Sequence, residues 1–173
     1  YEGVMYVTSA YTTMAFDAVS GREIWRHVWE PKQQVGRAGN QGVAIKGGRV
    51  IRTTADGYLL CLRIGNGSLL YSRRIADPSA GEFLTMAPLP YKNRILLGSS
   101  YGVAAYQLKN GDPVWRYETD TGRNGVEEPS GRTETTLFSL DLEKEELYAA
   151  VSNTLIALDI RKGKLIWSDD MHG

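Results

Sequence analysis

The chain is short of the groups that staple or charge a small protein. Its one cysteine, Cys61, excludes an internal disulfide, and a lone buried thiol suits an oxidising or a reducing compartment equally. The two histidines, His27 and His172, lack the close spacing of a metal site. Neither charge sign is in excess: 20 Lys and Arg stand against 20 Asp and Glu, which removes any bulk pull toward nucleic acid or an anionic membrane. No apolar run approaches the roughly 20 residues of a membrane-spanning helix. Helical periodicity is missing as well, since apolar residues alternate or form short runs bounded by Gly, Asn and Asp. No Ser/His/Asp set, helically spaced carboxylate pair or nucleotide fingerprint is present. The glycines at 65 and 67 are followed by no Lys-Ser/Thr, so they are hairpin chemistry and not a phosphate loop. The chain opens inside a strand-like run, YEGVMYV, without an initiator Met or a signal peptide. It reads as a mature protein or a piece of a longer one.

What is present is a repeat. Residues 15–25 read AFDAVSGREIW, and the pattern returns at 61–71 (CLRIGNGSLLY), 105–115 (AYQLKNGDPVW) and 157–167 (ALDIRKGKLIW). Each copy places a small residue six before a glycine and an aromatic four after it. The glycines are Gly21, Gly67, Gly111 and Gly163. The repeat units fall at about 1–30, 43–75, 83–118 and 135–170, separated by polar loops. Each supplies three or four short strands rich in β-branched and aromatic residues, the per-blade arithmetic of a β-propeller. With 42% hydrophobic residues the chain can build a packed core.

The repeat has a physical rationale. The glycine provides the positive φ of a tight, two-residue hairpin turn such as Ser20-Gly21. The aromatics Trp25, Tyr71, Trp115 and Trp167 are expected to wedge between neighbouring sheets, and the small residue ten before each leaves room for a ring or strand. Asp17 and Asp159 are placed to accept turn N–H bonds; Arg63 and Gln107 hold that offset in the other copies. Cys61 stands where the three other copies have alanine, which predicts a buried, inert thiol.

These segments resemble the tryptophan-docking repeat of quinoprotein alcohol dehydrogenases. GNQGVAI (39–45), LTMAPL (84–89), ILLGSS (95–100) and LYAAVSN (147–153) resemble further family segments in family order. The resemblance implies an all-β fold, an eight-bladed propeller of which this chain supplies about four blades, a partial propeller. It implies pyrroloquinoline quinone (PQQ) with Ca²⁺ or a lanthanide on the axis. By the same resemblance Thr85 and Ser100 are cofactor-binding, Gln41 occupies the position of a cofactor-facing arginine, and Asn153 is a metal ligand. It further implies a periplasmic or secreted location and a cytochrome electron acceptor.

The chain also departs from the family pattern. Gln41 can donate a hydrogen bond but brings no charge. Tyr101-Gly102 follow Ser100 where the family carries an acidic metal ligand, the vicinal cysteine pair is missing, and Thr135 stands near the position of a stacking tryptophan. The family's catalytic aspartate falls beyond residue 173, so no catalytic residue is assigned here. Each candidate has a plainer role too: Thr85 as a strand residue, Ser100 in a turn, Gln41 in a solvated loop, Asn153 with Thr154 as a hairpin pair. Two functions follow: a PQQ-dependent alcohol dehydrogenase-like protein or a segment of one, and a non-catalytic propeller acting as a protein-binding or assembly scaffold. Four blades leave two faces bare, so a second copy or the remaining half of the propeller is the expected partner.

Overall fold

The computed structural model describes residues 1–35, 42–84, 86–119, 135–151 and 154–170, apart from the side chains of 135–138. Among the described residues fifteen strands form four antiparallel meanders. The first sheet holds β1 (Val4–Thr8), β2 (Thr12–Asp17) and β3 (Glu23–Val28). The second holds β4 (Val43–Lys46), β5 (Arg49–Thr53), β6 (Tyr58–Arg63) and β7 (Leu69–Arg74). The third holds β8 (Leu89–Tyr91), β9 (Arg94–Ser99), β10 (Gly102–Gln107) and β11 (Pro113–Glu118). The fourth holds β12 (Thr135–Asp141), β13 (Glu146–Val151), β14 (Thr154–Asp159) and β15 (Leu165–Asp170). Among the described residues the one helical element is a 3₁₀ turn at Pro78–Ala80.

The sheets are stacked face to face, and the core lies between them. Leu96, Val103 and Ala105 of the third sheet meet Leu147, Ala149, Val151, Ile156 and Leu158 of the fourth. Ile51, Leu59 and Cys61 of the second meet Ile95, Leu97 and Ala104 of the third. Ala15 and Trp25 of the first meet Val50 and Leu62 of the second. Sandwiching explains why β6 and β10 read as continuous apolar runs: both faces are covered. The last strand of each sheet is largely exposed, as β3, β7 and β15 show.

The repeated hairpin is the same object four times. Ala15 pairs with Trp25, Cys61 with Tyr71, Ala105 with Trp115 and Ala157 with Trp167, and the register shifts by a bulge immediately after each small residue. The turn is wider than the two-residue hairpin expected. Four residues, 18–21, lie between Asp17 and Arg22, whose N–H and C=O bond at 2.9 Å, while the Gly21 N–H donates to Asp17 O at 2.9 Å. The bulge adds a residue, and a glycine with φ of 66–75° brings the chain back. Asp17 Oδ1 accepts from the Val19 and Ser20 amides, and Asp159 Oδ1 from those of Arg161 and Lys162, as the sequence suggested.

Each aromatic docks on the next sheet's turn rather than on its own. A Cβ added at Gly67 would lie 2.4 Å from the Trp25 ring, one at Gly111 2.7 Å from Tyr71, and one at Gly163 2.4 Å from Trp115. The ring's polar atom then donates to the carbonyl three residues before that glycine. Trp25 Nε1 reaches Ile64 O at 2.9 Å, Tyr71 Oη reaches Leu108 O at 3.0 Å, and Trp115 Nε1 reaches Ile160 O at 2.8 Å. Arg94 fastens the same seam from the other side, donating to Ile160 O and Arg161 O at 2.6 and 2.7 Å. One expectation needs correction: Trp167 is 40% exposed and wedged against no following turn among the described residues. The first sheet has three strands and the others four, as expected.

Glycine is therefore needed at the docking turn for two separate reasons, and they can be separated. Gly48 has φ +71° with open space around its missing Cβ, while Gly163 has φ +66° and the Trp115 ring against it. Both alanine substitutions carry the left-handed backbone cost of roughly 1–2 kcal/mol. Gly163→Ala should lose a further ~1–3 kcal/mol by overpacking the seam. Urea midpoints converted to free energies check this; equal losses would refute the dock.

Candidate functional site

Of the four residues expected to face a cofactor or metal, Thr85, Gln41 and Asn153 lie outside the described residues. Ser100 is well placed for scrutiny. It sits in the tight link between β9 and β10, and it is buried. Its hydroxyl donates to Gly81 O at 3.1 Å and accepts from the Phe83 amide at 3.0 Å. Its own amide donates to Phe83 O at 2.8 Å. The next amide, Tyr101, donates to Ser99 Oγ at 3.2 Å, and the Tyr101 hydroxyl donates to Ala80 O. Leu84 forms an isolated bridge with Ser99. The 99–101 link thus clamps the 80–84 segment, which leads directly into Thr85.

Gly102 explains why the link is so tight. Its φ is +147°, and an added Cβ would meet Tyr117 O at 2.2 Å, so β11 comes right up to the backbone. Beside the clamp lies a small recess lined by Glu82, Leu84, Leu97, Tyr106 and Arg116, among others. Glu82 is buried and pairs with Arg116 Nη2 at 2.5 Å, and Arg116 Nε also holds Glu118 at 2.6 Å. Burial raises the Tyr106 phenol above its ordinary range. A guanidinium held by two carboxylates next to a protonated phenol is a structural brace, with no nucleophile and base in contact.

A second polar centre lies at the seam of the first two sheets, and sequence reading missed it. Arg52 is fully buried. Its five N–H donors meet Thr53 O, Thr12 O, Thr13 Oγ1, Ser9 O and Ala10 O at 2.8–3.2 Å. Burial pulls its pKa down to about 10, against the attraction of Asp56. Asp56, also buried, accepts from Trp29 Nε1 at 3.1 Å and the Lys32 amide at 2.8 Å. All five guanidinium donors are therefore used, Nε on Thr53 O and the other four in holding the β1–β2 turn at residues 9–13. The only sequence signal was a charge inside the apolar run of β5, which a period-2 pattern cannot interpret. Cys61 is buried as expected, and burial raises its thiol pKa, so it is inert. No group of three or more His, Cys, Asp or Glu able to hold a metal occurs among the described residues.

The family model described as "Outer membrane protein assembly factor BamB", a PQQ-repeat model, matches residues 2–173. The chain belongs to this family of PQQ-type propellers. Its curated relatives include the quinohemoprotein alcohol dehydrogenase ADH IIB of Pseudomonas putida, 33% identical over 135 residues, covering 70% of this chain and 20% of that protein. A lanthanide-dependent methanol dehydrogenase of Methylorubrum extorquens is 33% identical over 130 residues, covering 65% of this chain and 21% of that protein. Among solved structures, a europium-containing methanol dehydrogenase superposes with a TM-score of 0.79 at 23% identity, over 98% of this chain and 40% of that one. BamB from Moraxella catarrhalis superposes with a TM-score of 0.71 at 21% identity, over 96% and 49%. The chain spans about a fifth of the length of the curated relatives it matches. The fold is that of the eight-bladed quinoprotein propellers, of which this chain forms a partial ring of four sheets.

PQQ is a tricarboxylate and asks its site for hydrogen-bond donors and positive charge. Ser100 fits it only as an acceptor, because its one proton is committed to Gly81 O and one lone pair to the Phe83 amide. Arg52 has no donor left to offer. Ser100 is better described as a positioning residue for the 81–84 segment. Ser100→Ala should leave Phe83 N–H and Gly81 O without their partner, costing about 1–3 kcal/mol. Hydrogen exchange should speed up at the Phe83 amide while the docking hairpins stay protected. An unchanged Phe83 rate would contradict this.

Proposed function

We propose that the chain is an arc of a quinoprotein alcohol dehydrogenase-like propeller that oxidises an alcohol. The reading is carried by the thrice-repeated ring-on-glycine dock, in a chain whose curated relatives are named quinoprotein and quinohemoprotein dehydrogenases. When bound, PQQ with Ca²⁺ or a lanthanide supplies the hydride acceptor and the Lewis acid. This chain's share is a wall of the site. Thr85 and Gln41 offer neutral hydrogen bonds to the quinone, Ser100 fixes the segment that presents Thr85, and Asn153 offers an amide oxygen to the metal. None of these is assigned the substrate proton; by the resemblance, the family's catalytic aspartate falls beyond residue 173. The implied setting is the periplasm, with a cytochrome taking the electrons.

A second reading is favoured by one observation: the donors at 99–101 and on Arg52 are turned inward, and Gln41 lacks the arginine charge. On that reading the arc is a non-catalytic binding or assembly scaffold, an option in keeping with its fold likeness to BamB. Adding PQQ with Ca²⁺ or a lanthanide and desalting separates the two. Quinone absorbance that stays with the protein, and falls in Thr85→Ala, is expected for the first. Loss of all absorbance from a folded protein favours the scaffold.

A further inference from the structure

We propose that the docking turns at Asn66-Gly67 and Asn110-Gly111 are sites of spontaneous deamidation, each gated by the ring docked on it, Trp25 on the first and Tyr71 on the second. Two of the four docking turns place asparagine directly before the glycine; Ser20-Gly21 and Lys162-Gly163 do not. Glycine favours the reaction, because it has no side chain to hinder approach to its amide nitrogen. That nitrogen attacks the asparagine Cγ, the new N–C bond closes a succinimide, and the carboxamide C–N bond breaks. The proton lost by the glycine amide leaves with the ammonia. Water then opens the ring at either carbonyl, giving aspartate or isoaspartate. Water enters and ammonia leaves, and nothing is oxidised or reduced.

The electrophile is held ready at both turns. Asn66 Oδ1 accepts from the Ser68 amide at 3.1 Å, and Asn110 Oδ1 from the Asp112 amide at 3.2 Å. Each bond folds the side chain back along its own backbone, past the glycine amide, and draws electron density from the carbonyl that is attacked. Asn66 is exposed and Asn110 half-buried, so water reaches both.

The nucleophile is withheld. The Gly67 N–H donates to Arg63 O at 2.9 Å and the Gly111 N–H to Gln107 O at 2.8 Å, and both glycines are buried. A bonded amide proton shielded from base is not released, so the reaction waits for the turn to open. The ring resists that opening. A Cβ on Gly67 would lie 2.4 Å from Trp25 and one on Gly111 2.7 Å from Tyr71, while Trp25 Nε1 holds Ile64 O and Tyr71 Oη holds Leu108 O. The reaction then makes an opening permanent. Isoaspartate lengthens the main chain by one carbon just before the glycine, so the acceptor carbonyl and the glycine no longer meet the same ring in register. Each of these turns is thus a timer for its own seam.

Peptide mapping of the full chain after incubation at mildly alkaline pH tests this, with the same chain in urea as the ungated reference. Mapping also separates the two sites from the third Asn-Gly pair, 124–125, which lies outside the described residues. Both sites should convert at least about tenfold more slowly in the folded chain than in urea. Trp25→Phe and Tyr71→Phe each keep a ring and remove its hydrogen bond, which should speed conversion roughly two- to tenfold. The gain is expected at Asn66 alone in the first variant and at Asn110 alone in the second. Circular dichroism checks that the sheets persist; if Trp25→Phe disturbs them, Tyr71→Phe, which loses a single hydroxyl, decides the matter. Folded wild-type rates equal to those in urea would overturn the proposal. So would variants that speed both sites alike, which would put control in global unfolding, or variants that speed neither. The readout needs no quinone, so it stands or falls separately from the dehydrogenase reading.

Discussion

An aromatic ring laid flat on a glycine is the contact on which this protein depends. A side chain on the glycine would occupy the ring's place, and the ring's donor would then miss the carbonyl three residues earlier. The small residue across the hairpin belongs to the same constraint, because Ala15, Cys61, Ala105 and Ala157 are the direct partners of the rings and are fully buried beside them. Each of the three seams carries this one unit and the apolar faces it holds together, with Arg52 and Arg94 adding bonds at two of them. Closing such contacts involves only adjacent sheets, so stability accrues seam by seam, as in other repeat proteins.

Much of the fold was legible because the unit is local. A small residue, a glycine and an aromatic at fixed offsets fall within eleven residues, and the strands around them follow period 2 or short apolar runs. What escaped the sequence was everything that depends on a distant partner. It did not say that Trp25 serves the turn around Gly67, 42 positions on, rather than its own around Gly21. It did not reveal the bulge that widens the turn to four residues, since a bulge leaves no residue signature beyond the glycine that relieves it. Arg52 was invisible because its five acceptors are four backbone carbonyls and a threonine hydroxyl, which any sequence supplies.

Of the candidate site, Ser100 is the one residue that can be followed from sequence into the described structure. The resemblance offers it to a cofactor, but its proton is committed to a carbonyl 19 residues earlier in the chain. A hydroxyl with one hydrogen can orient a segment or donate to a cofactor, and no sequence says which. The same holds for Glu82 and Arg116, whose pairing turns two chargeable groups into a brace. The chain therefore keeps the propeller's mechanical unit intact, while the described polar groups around Ser100 and Arg52 serve the backbone.

The indole N–H groups report most directly on the dock. If Trp25 and Trp115 donate to Ile64 O and Ile160 O in solution, their indole protons should exchange with D₂O only through opening of the sheets, orders of magnitude more slowly than in an unfolded chain. Indole protons at 25 and 115 that exchange at the free rate in the folded protein would contradict the account.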